Sequence, residues 1–289
     1  MNPRATRISY RLAVAAILAT ALVGGAPARG ALFGSSAGAC EPTAQEQYFL
    51  ELLNTARTNP LAEARRLNVD FTAGGKFGVA PRPPFRLNSQ LLATARTHSR
   101  SMADSAFFGH KDPHGRGPLE RMLLAGYAAT GCAESIAAGD ETPDSAVDRL
   151  LVDDGIPDLK HRLMLLGVGD YAQLDEVGVG IHQGSGPYGS YYTVELARDA
   201  APSPFLVGVV YRDRNRDGAY DAGEGLPGVR VELGDGTTET TTGTAGGYSV
   251  PIEEPGSYVV TLRGPGMPAP RRMPVRIGSV NTKLDLVLQ

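Results

Sequence analysis

Tryptophan is absent from this 289-residue chain, aromatic residues make up 7% of it and cysteine occurs only twice. Each scarcity excludes something. Two cysteines, at 40 and 132, give no zinc-finger spacing. No run of basic residues exists and the net charge is −3, which argues against nucleic acid or an anionic membrane surface as partner. No apolar stretch is long enough to cross a bilayer, so no transmembrane segment is expected in the mature chain. The one Gly-x-Ser-x-Gly run, Gly34 to Gly38, falls in a Gly/Ala/Ser-rich segment rather than between a strand and a helix, and a nucleophilic triad has no support. What is plentiful is glycine (36) and proline (21), which favour many turns and short strands over long helices alone. Apolar residues reach 42%, enough for one large core or two ordinary ones.

The N-terminus points to export. Arg4, Arg7 and Arg11 precede an apolar run over 12–23 and then Ala26-Pro27-Ala28, an Ala-x-Ala cleavage pattern. Residues 1–28 are therefore predicted to be a secretory signal peptide, and the protein to be secreted, periplasmic or held at the cell surface. Residues 29–42, rich in Gly, Ala and Ser, are expected to be a flexible segment. In an exported chain an even cysteine count predicts one disulfide, Cys40 to Cys132. Two free thiols, or a lipid on Cys40, are the alternatives left open.

Helical signals follow. Thr43-Ala-Gln-Glu46 is a capping box, and Phe49, Leu52, Leu53 and Ala56 recur at helical spacing up to Asn59-Pro60. Asn88 and Ser89 are cap candidates for a helix with Leu91, Ala95, His98 and Met102 on one face; His98 reads as a packed core histidine. His114 reads as a solvated loop residue. Thr142-Pro143 opens a further helix, which Asp153-Asp154-Gly155 ends, and residues 158–166 carry His161 and Arg162. Val177, Val179 and Ile181 alternate with Gly178, Gly180 and His182 as in a strand, and residues 191–196 read as a second. Residues 199–204 have linker composition. Beyond them seven short runs (206–211, 229–233, 237–242, 248–252, 258–262, 275–277 and 284–288) predict a small all-β sandwich over 205–289.

Four polar residues in the first part, His110, Glu134, Asp153 and His161, could hold a divalent metal or act as acid and base. Their scattered positions do not by themselves imply a shared site. Phe107-Phe108-Gly109-His110, Ala133-Glu134-Ser135-Ile136, Ala146-Val147-Asp148, His161-Arg162 and Glu176-Val177-Gly178-Val179-Gly180, with Asn54-x-x-Arg57 before them, occur in an order that resembles the CAP superfamily. That superfamily comprises cysteine-rich secretory, antigen 5 and pathogenesis-related proteins, including bacterial SCP-like extracellular members. The resemblance places a CAP domain over 43–198 and implies an α+β fold, an α-β-α sandwich with a central cleft of two histidines and two acids. His110 and His161 match the histidines, Glu134 the acid of the Gly-Glu-Asn motif, and Asp153 the second acid, with Asp154 its neighbouring candidate. Ala133 and Ser135 stand where Gly and Asn are usual, and the segment before His161 is longer than usual. The resemblance further implies zinc binding, sterol or lipid binding, or proteolysis, with no single activity common to the family.

Asp213, Asn215, Asp217, Ala219, Asp221 and Glu224 fit the ligand positions of a twelve-residue calcium loop, with Gly218 at the sharp turn. Hard Ca²⁺ needs that many oxygens. The surrounding segments resemble the B-type modules of serine-aspartate-repeat adhesins and Cna B-like domains, which implies an immunoglobulin-like sandwich stiffened by calcium. Three functions are expected to compete. The first is a binding protein whose cleft takes a metal and a lipid, peptide or cell-surface ligand. The second is a metal-dependent hydrolase with His110 and His161 as ligands and Glu134 as base. The third is a surface-adhesion protein with an inert cleft.

Overall fold

The computed structural model describes residues 17–20, 41–72, 78, 80–184 and 186–289. The expected leader lies outside the described residues except for four positions, and so do Cys40 and nearly all of 29–42. Those four, Ile17–Thr20, form strand β1.

Helix α1 (Ala44–Thr58) begins at the capping box. The Thr43 hydroxyl accepts from the Glu46 amide at 3.3 Å, and the Glu46 carboxylate accepts from the Thr43 amide at 2.8 Å. Two amides that the first turn leaves unpaired are thus satisfied. The helix stops before Pro60, and the Asn59 side chain then caps α2 (Pro60–Leu67) through the Ala62 amide at 3.2 Å. Strand β2 (Arg86–Leu87) leads to α3 (Ser89–Asp104), where Asn88 accepts from the amides of Gln90 and Leu91. Then come α4 (Pro118–Leu124), β3 (Ala129–Ala138), α5 (Pro143–Val152), α6 (Lys160–Leu165), β4 (Glu176–Gln183) and β5 (Ser190–Asp199).

The sheet runs β1-β3-β5-β4-β2, antiparallel except where β2 meets β4. Glycines let α3 lie directly on β4. A Cβ at Gly178 would stand 2.0 Å from the Leu91 carbonyl carbon, and one at Gly180 2.2 Å from that of Ala95. The alternate residues Val177 and Val179 turn to the opposite face, into a core with Phe49 and Leu53 of α1 and Val147 and Leu151 of α5. Helices therefore cover both faces, and the sheet carries side chains toward each layer.

Residues 205–289 form β6 (Phe205–Arg212), β7 (Arg230–Leu233), β8 (Thr238–Thr241), β9 (Gly247–Pro251), β10 (Gly256–Arg263), β11 (Arg271–Ile277), β12 (Thr282–Lys283) and β13 (Leu286–Leu288). One sheet has the order β11-β10-β7-β8; in the other, β6 pairs with β9 on one side and with β12, then β13, on the other. Strand β13 falls within the last of the seven runs, and β12 lies just before it. Val210, Val231, Val250, Val260, Leu262 and Leu286 share a core with their neighbours.

The two parts are tied by polar contacts. The Asn281 amide donates to the carbonyls of Pro84 and Asp175 at 3.1 and 3.0 Å and accepts from Phe205 N at 3.0 Å. The Lys283 ammonium meets the buried Glu51 carboxylate of α1 at 2.8 Å.

Candidate metal and ligand site

Two histidine–carboxylate pairs are present, His110 with Glu134 and His161 with Asp153. In the first, His98 on α3 bonds through Nε2 to the Gly109 carbonyl at 2.9 Å and holds the loop that follows the helix. His110, 5% exposed, then places Nδ1 2.6 Å from Oε1 of the fully buried Glu134 on β3. Its Nε2 is buried and makes no hydrogen bond. Behind the pair lies Arg121 of α4. Its Nη1 donates to the His110 carbonyl at 2.7 Å, and its Nη2 donates to Glu134 and, at 3.0 Å, to Glu195. Glu195 stands opposite Glu134 in the β3–β5 register and is equally buried.

Two buried carboxylates facing one guanidinium cannot both ionise cheaply. Burial, and then the neighbouring Glu134 charge, push Glu195 well above the usual carboxylate range. Burial raises Glu134 to about 7 against the pull of Arg121. Burial, assisted by the Arg121 cation, lowers His110 to about 4. The imidazole is thus neutral at pH 7, and an ionised Glu134 takes its Nδ1–H, which leaves the lone pair on Nε2.

The second pair is built on a helix end. Asp153 terminates α5 in the left-handed region, with φ 55°. Its Oδ1 accepts from His161 Nδ1 at 2.6 Å, and its Oδ2 from the amides of His161 and Arg162 at 3.0 and 3.3 Å. Asp154 is exposed. The long segment between them folds back through turn bonds, Ile156 N to Asp153 O at 3.2 Å and Leu159 N to Ile156 O at 3.1 Å, and so brings His161 to Asp153. His161 Nε2 is also buried without a hydrogen bond. Helix α6 packs against β3, the strand that carries Glu134.

Buried polar atoms are seldom left unpaired. Two imidazoles that each spend Nδ1 on a carboxylate and keep Nε2 free have the donor arrangement of metal-bound histidine, where the carboxylate orients the ring. Among the described residues no three His, Cys, Asp or Glu converge on one point. Each Nε2 taken singly is a fitting nitrogen donor, with its acid behind it. His114 is exposed and His182 half-buried, and neither joins the site. Cys132 is buried on β3; its expected partner lies outside the described residues.

In the second part, the Asp213 carboxylate accepts from the amides of Arg216 and Gly218 at 2.6 and 3.0 Å, and Glu224 from those of Arg214 and Asp221 at 2.8 and 3.1 Å. Asn215 donates to Asp217 and Asp221 at 3.0 and 2.6 Å. Gly218 takes φ 81°, the turn that glycine permits. Ala219 lies beside it on the surface. Burial, with repulsion from Asp217 and Glu224, raises Asp221 above its usual value.

Arg121 and Glu195 escaped the sequence reading. Arg121 lies on a short helix whose Leu123 and Leu124 are 49% and 69% exposed while Arg121 itself is buried. For Glu195 the signal was a charge inside an apolar strand.

The model of the cysteine-rich secretory protein (CAP) family matches residues 50–196, just over half of the chain, and the chain belongs to that family. The uncharacterized protein YkwD of Bacillus subtilis (strain 168) is 28% identical over 97 residues, 34% of each chain, so the chain matches about a third of that relative's length. An extracellular protein with an SCP domain from Bacillus anthracis str. Ames is similar at 22% identity and TM-score 0.38, over 54% of this chain and 40% of that one. A type II cohesin-X-dockerin complex from Acetivibrio cellulolyticus is similar at 15% identity and TM-score 0.24, over 29% of this chain and 56% of the other.

Proposed function

We propose that this is a secreted CAP-domain binding protein whose His110/His161 site holds a divalent metal, zinc by its nitrogen donors, and presents it to a lipid or peptide ligand. The observation that carries the reading is the pair of buried, unbonded Nε2 atoms, each on a ring oriented by a carboxylate. Zinc bound there supplies an open coordination position. Glu134 and Asp153 hold the tautomers, and the burial of both rings excludes water. We place binding above hydrolysis because the Glu134 oxygens are engaged by His110 and Arg121, which leaves no free base. The basic start at Arg4, Arg7 and Arg11, the apolar run over 12–23 and Ala26-Pro27-Ala28 support export.

The second part is, in this reading, an immunoglobulin-like, Cna B-like sandwich stiffened by calcium at Asp213, Asn215, Asp217, the Ala219 carbonyl, Asp221 and Glu224. The amide-bound Asp213 and Glu224 and the Gly218 turn support it. One set of calorimetric titrations on the full chain tests both sites. Zinc should bind at micromolar affinity or tighter, about −8 kcal/mol, and be lost in the His110→Ala/His161→Ala variant. Calcium should bind both proteins and be lost only in Asp217→Ala. Zinc binding that survives the double histidine variant removes the first assignment, and calcium binding that survives Asp217→Ala removes the second.

A further inference from the structure

The two histidine–carboxylate pairs are fixed by different devices. Asp153 needs no other side chain: its Oδ2 is held by two backbone amides, and its backbone is the helix cap itself. Glu134 receives no backbone amide through its side chain. It sits mid-strand, fully buried, and its carboxylate is oriented by side chains alone. An imidazole without a fixed acceptor exchanges between two tautomers, and only the Nδ1–H form leaves a lone pair on Nε2. What holds Glu134 therefore decides what His110 presents.

We propose that Arg121 and Glu195 are the positioning residues of His110, an inference that rests on the site described above as the ligand-binding site. The guanidinium grips both ends of the pair. Nη2 binds the Glu134 carboxylate, while Nη1 binds the carbonyl of His110 itself at 2.7 Å and that of Arg116 at 3.2 Å. Ring and acceptor are thereby tied to one rigid fork, a geometry that lysine, a single point donor, does not reproduce. Glu195 holds the fork from the far side, accepting from Nη2 at 3.0 Å across from Glu134 in the strand register. Neither residue reaches the ligand. Both act through Glu134 on His110, and neither is bonded to the His161 pair.

The two pairs make the test internally controlled. The full chain, uniformly ¹⁵N-labelled and free of metal, is studied by long-range ¹H–¹⁵N correlation of its five histidines, then titrated with zinc chloride. The proteins are wild type, Arg121→Met, Arg121→Lys and Glu195→Gln. Wild type should show His110 and His161 both as Nδ1–H tautomers. Arg121→Met should move His110 to a tautomer mixture with His161 unchanged, and weaken zinc at least about tenfold, the usual effect of losing a residue that orients a metal-bound histidine. Arg121→Lys should recover only part of that loss. Glu195→Gln, nearly isosteric, should shift His110 in the same direction by less, and it decides the matter if Arg121→Met does not fold. A Glu195→Gln protein with wild-type His110 signals and zinc affinity within twofold overturns the role of Glu195, and the same result in Arg121→Met overturns the proposal. If wild type takes no zinc, the metal reading fails, and the tautomer signals alone still decide the positioning roles.

Discussion

His98 is the residue through which acid should act on this fold. It is fully buried, and burial with the neighbouring Arg121 cation lowers its pKa to about 3. Its folded value lies below the unfolded value of about 6.5. The unfolded chain therefore binds the proton first as pH falls, and stability that is complete above about 6.5 is lost progressively toward 3. His110, lowered to about 4, acts in the same sense, whereas Glu134, raised to about 7, acts oppositely, since the folded state holds its proton longer. Those two offset each other over much of the window, and Glu195, also raised, acts with Glu134 against His98, so the His98 contribution is read by difference. The melting temperature of wild type relative to His98→Gln should fall between pH 7 and 4, with some stability lost by the variant at pH 7 through the Gly109 contact. An unchanged slope would show that His98 is not the titrating group.

Among the elements, the α3–β4 contact is the tightest seam of the first part. Gly180→Ala sets a methyl carbon 2.2 Å from the Ala95 carbonyl carbon, against backbone that cannot swing aside. It should cost more than about 3 kcal/mol, beyond ordinary overpacking, while Gly109→Ala, which meets nothing within 4 Å, should cost little. Urea unfolding of both checks this, and near-equal midpoints would contradict it. This seam was half-legible in the sequence: the Val177/Gly178/Val179/Gly180 alternation gave the strand and its apolar face, but not the helix that lies on the glycines. Helices α1 and α5 were legible from local chemistry, because the Thr43 capping box and the Thr142-Pro143 start act over four residues. Strand β3 was not read as a strand, and its register with β5 depends on residues some sixty positions apart. The Glu134–Glu195–Arg121 cluster comes from that register and was invisible, although His110, Glu134, Asp153 and His161 had been singled out by resemblance. The choice between Asp153 and Asp154 needed the left-handed turn at Asp153, which no local signal gave.

For the whole molecule, the polar seam between the two parts constrains how the sandwich can serve the site. Asn281 bridges two carbonyls of the first part, Lys283 neutralises the buried Glu51, and Tyr48 of α1 packs against Tyr211 and Tyr220 beside the proposed calcium loop. A buried ammonium and carboxylate are costly to separate, so the second part sits as a fixed neighbour of α1 rather than a loose tether, and α1 packs on α5, the helix that Asp153 ends. The proposed metal site rests on two imidazole nitrogens, and the direct measurement is the zinc X-ray absorption spectrum of the full chain loaded with one equivalent. The account expects two imidazole nitrogens at about 2.0–2.1 Å, with the imidazole signal gone in His110→Ala/His161→Ala. A zinc shell without imidazole, or one that the double variant leaves unchanged, would contradict it.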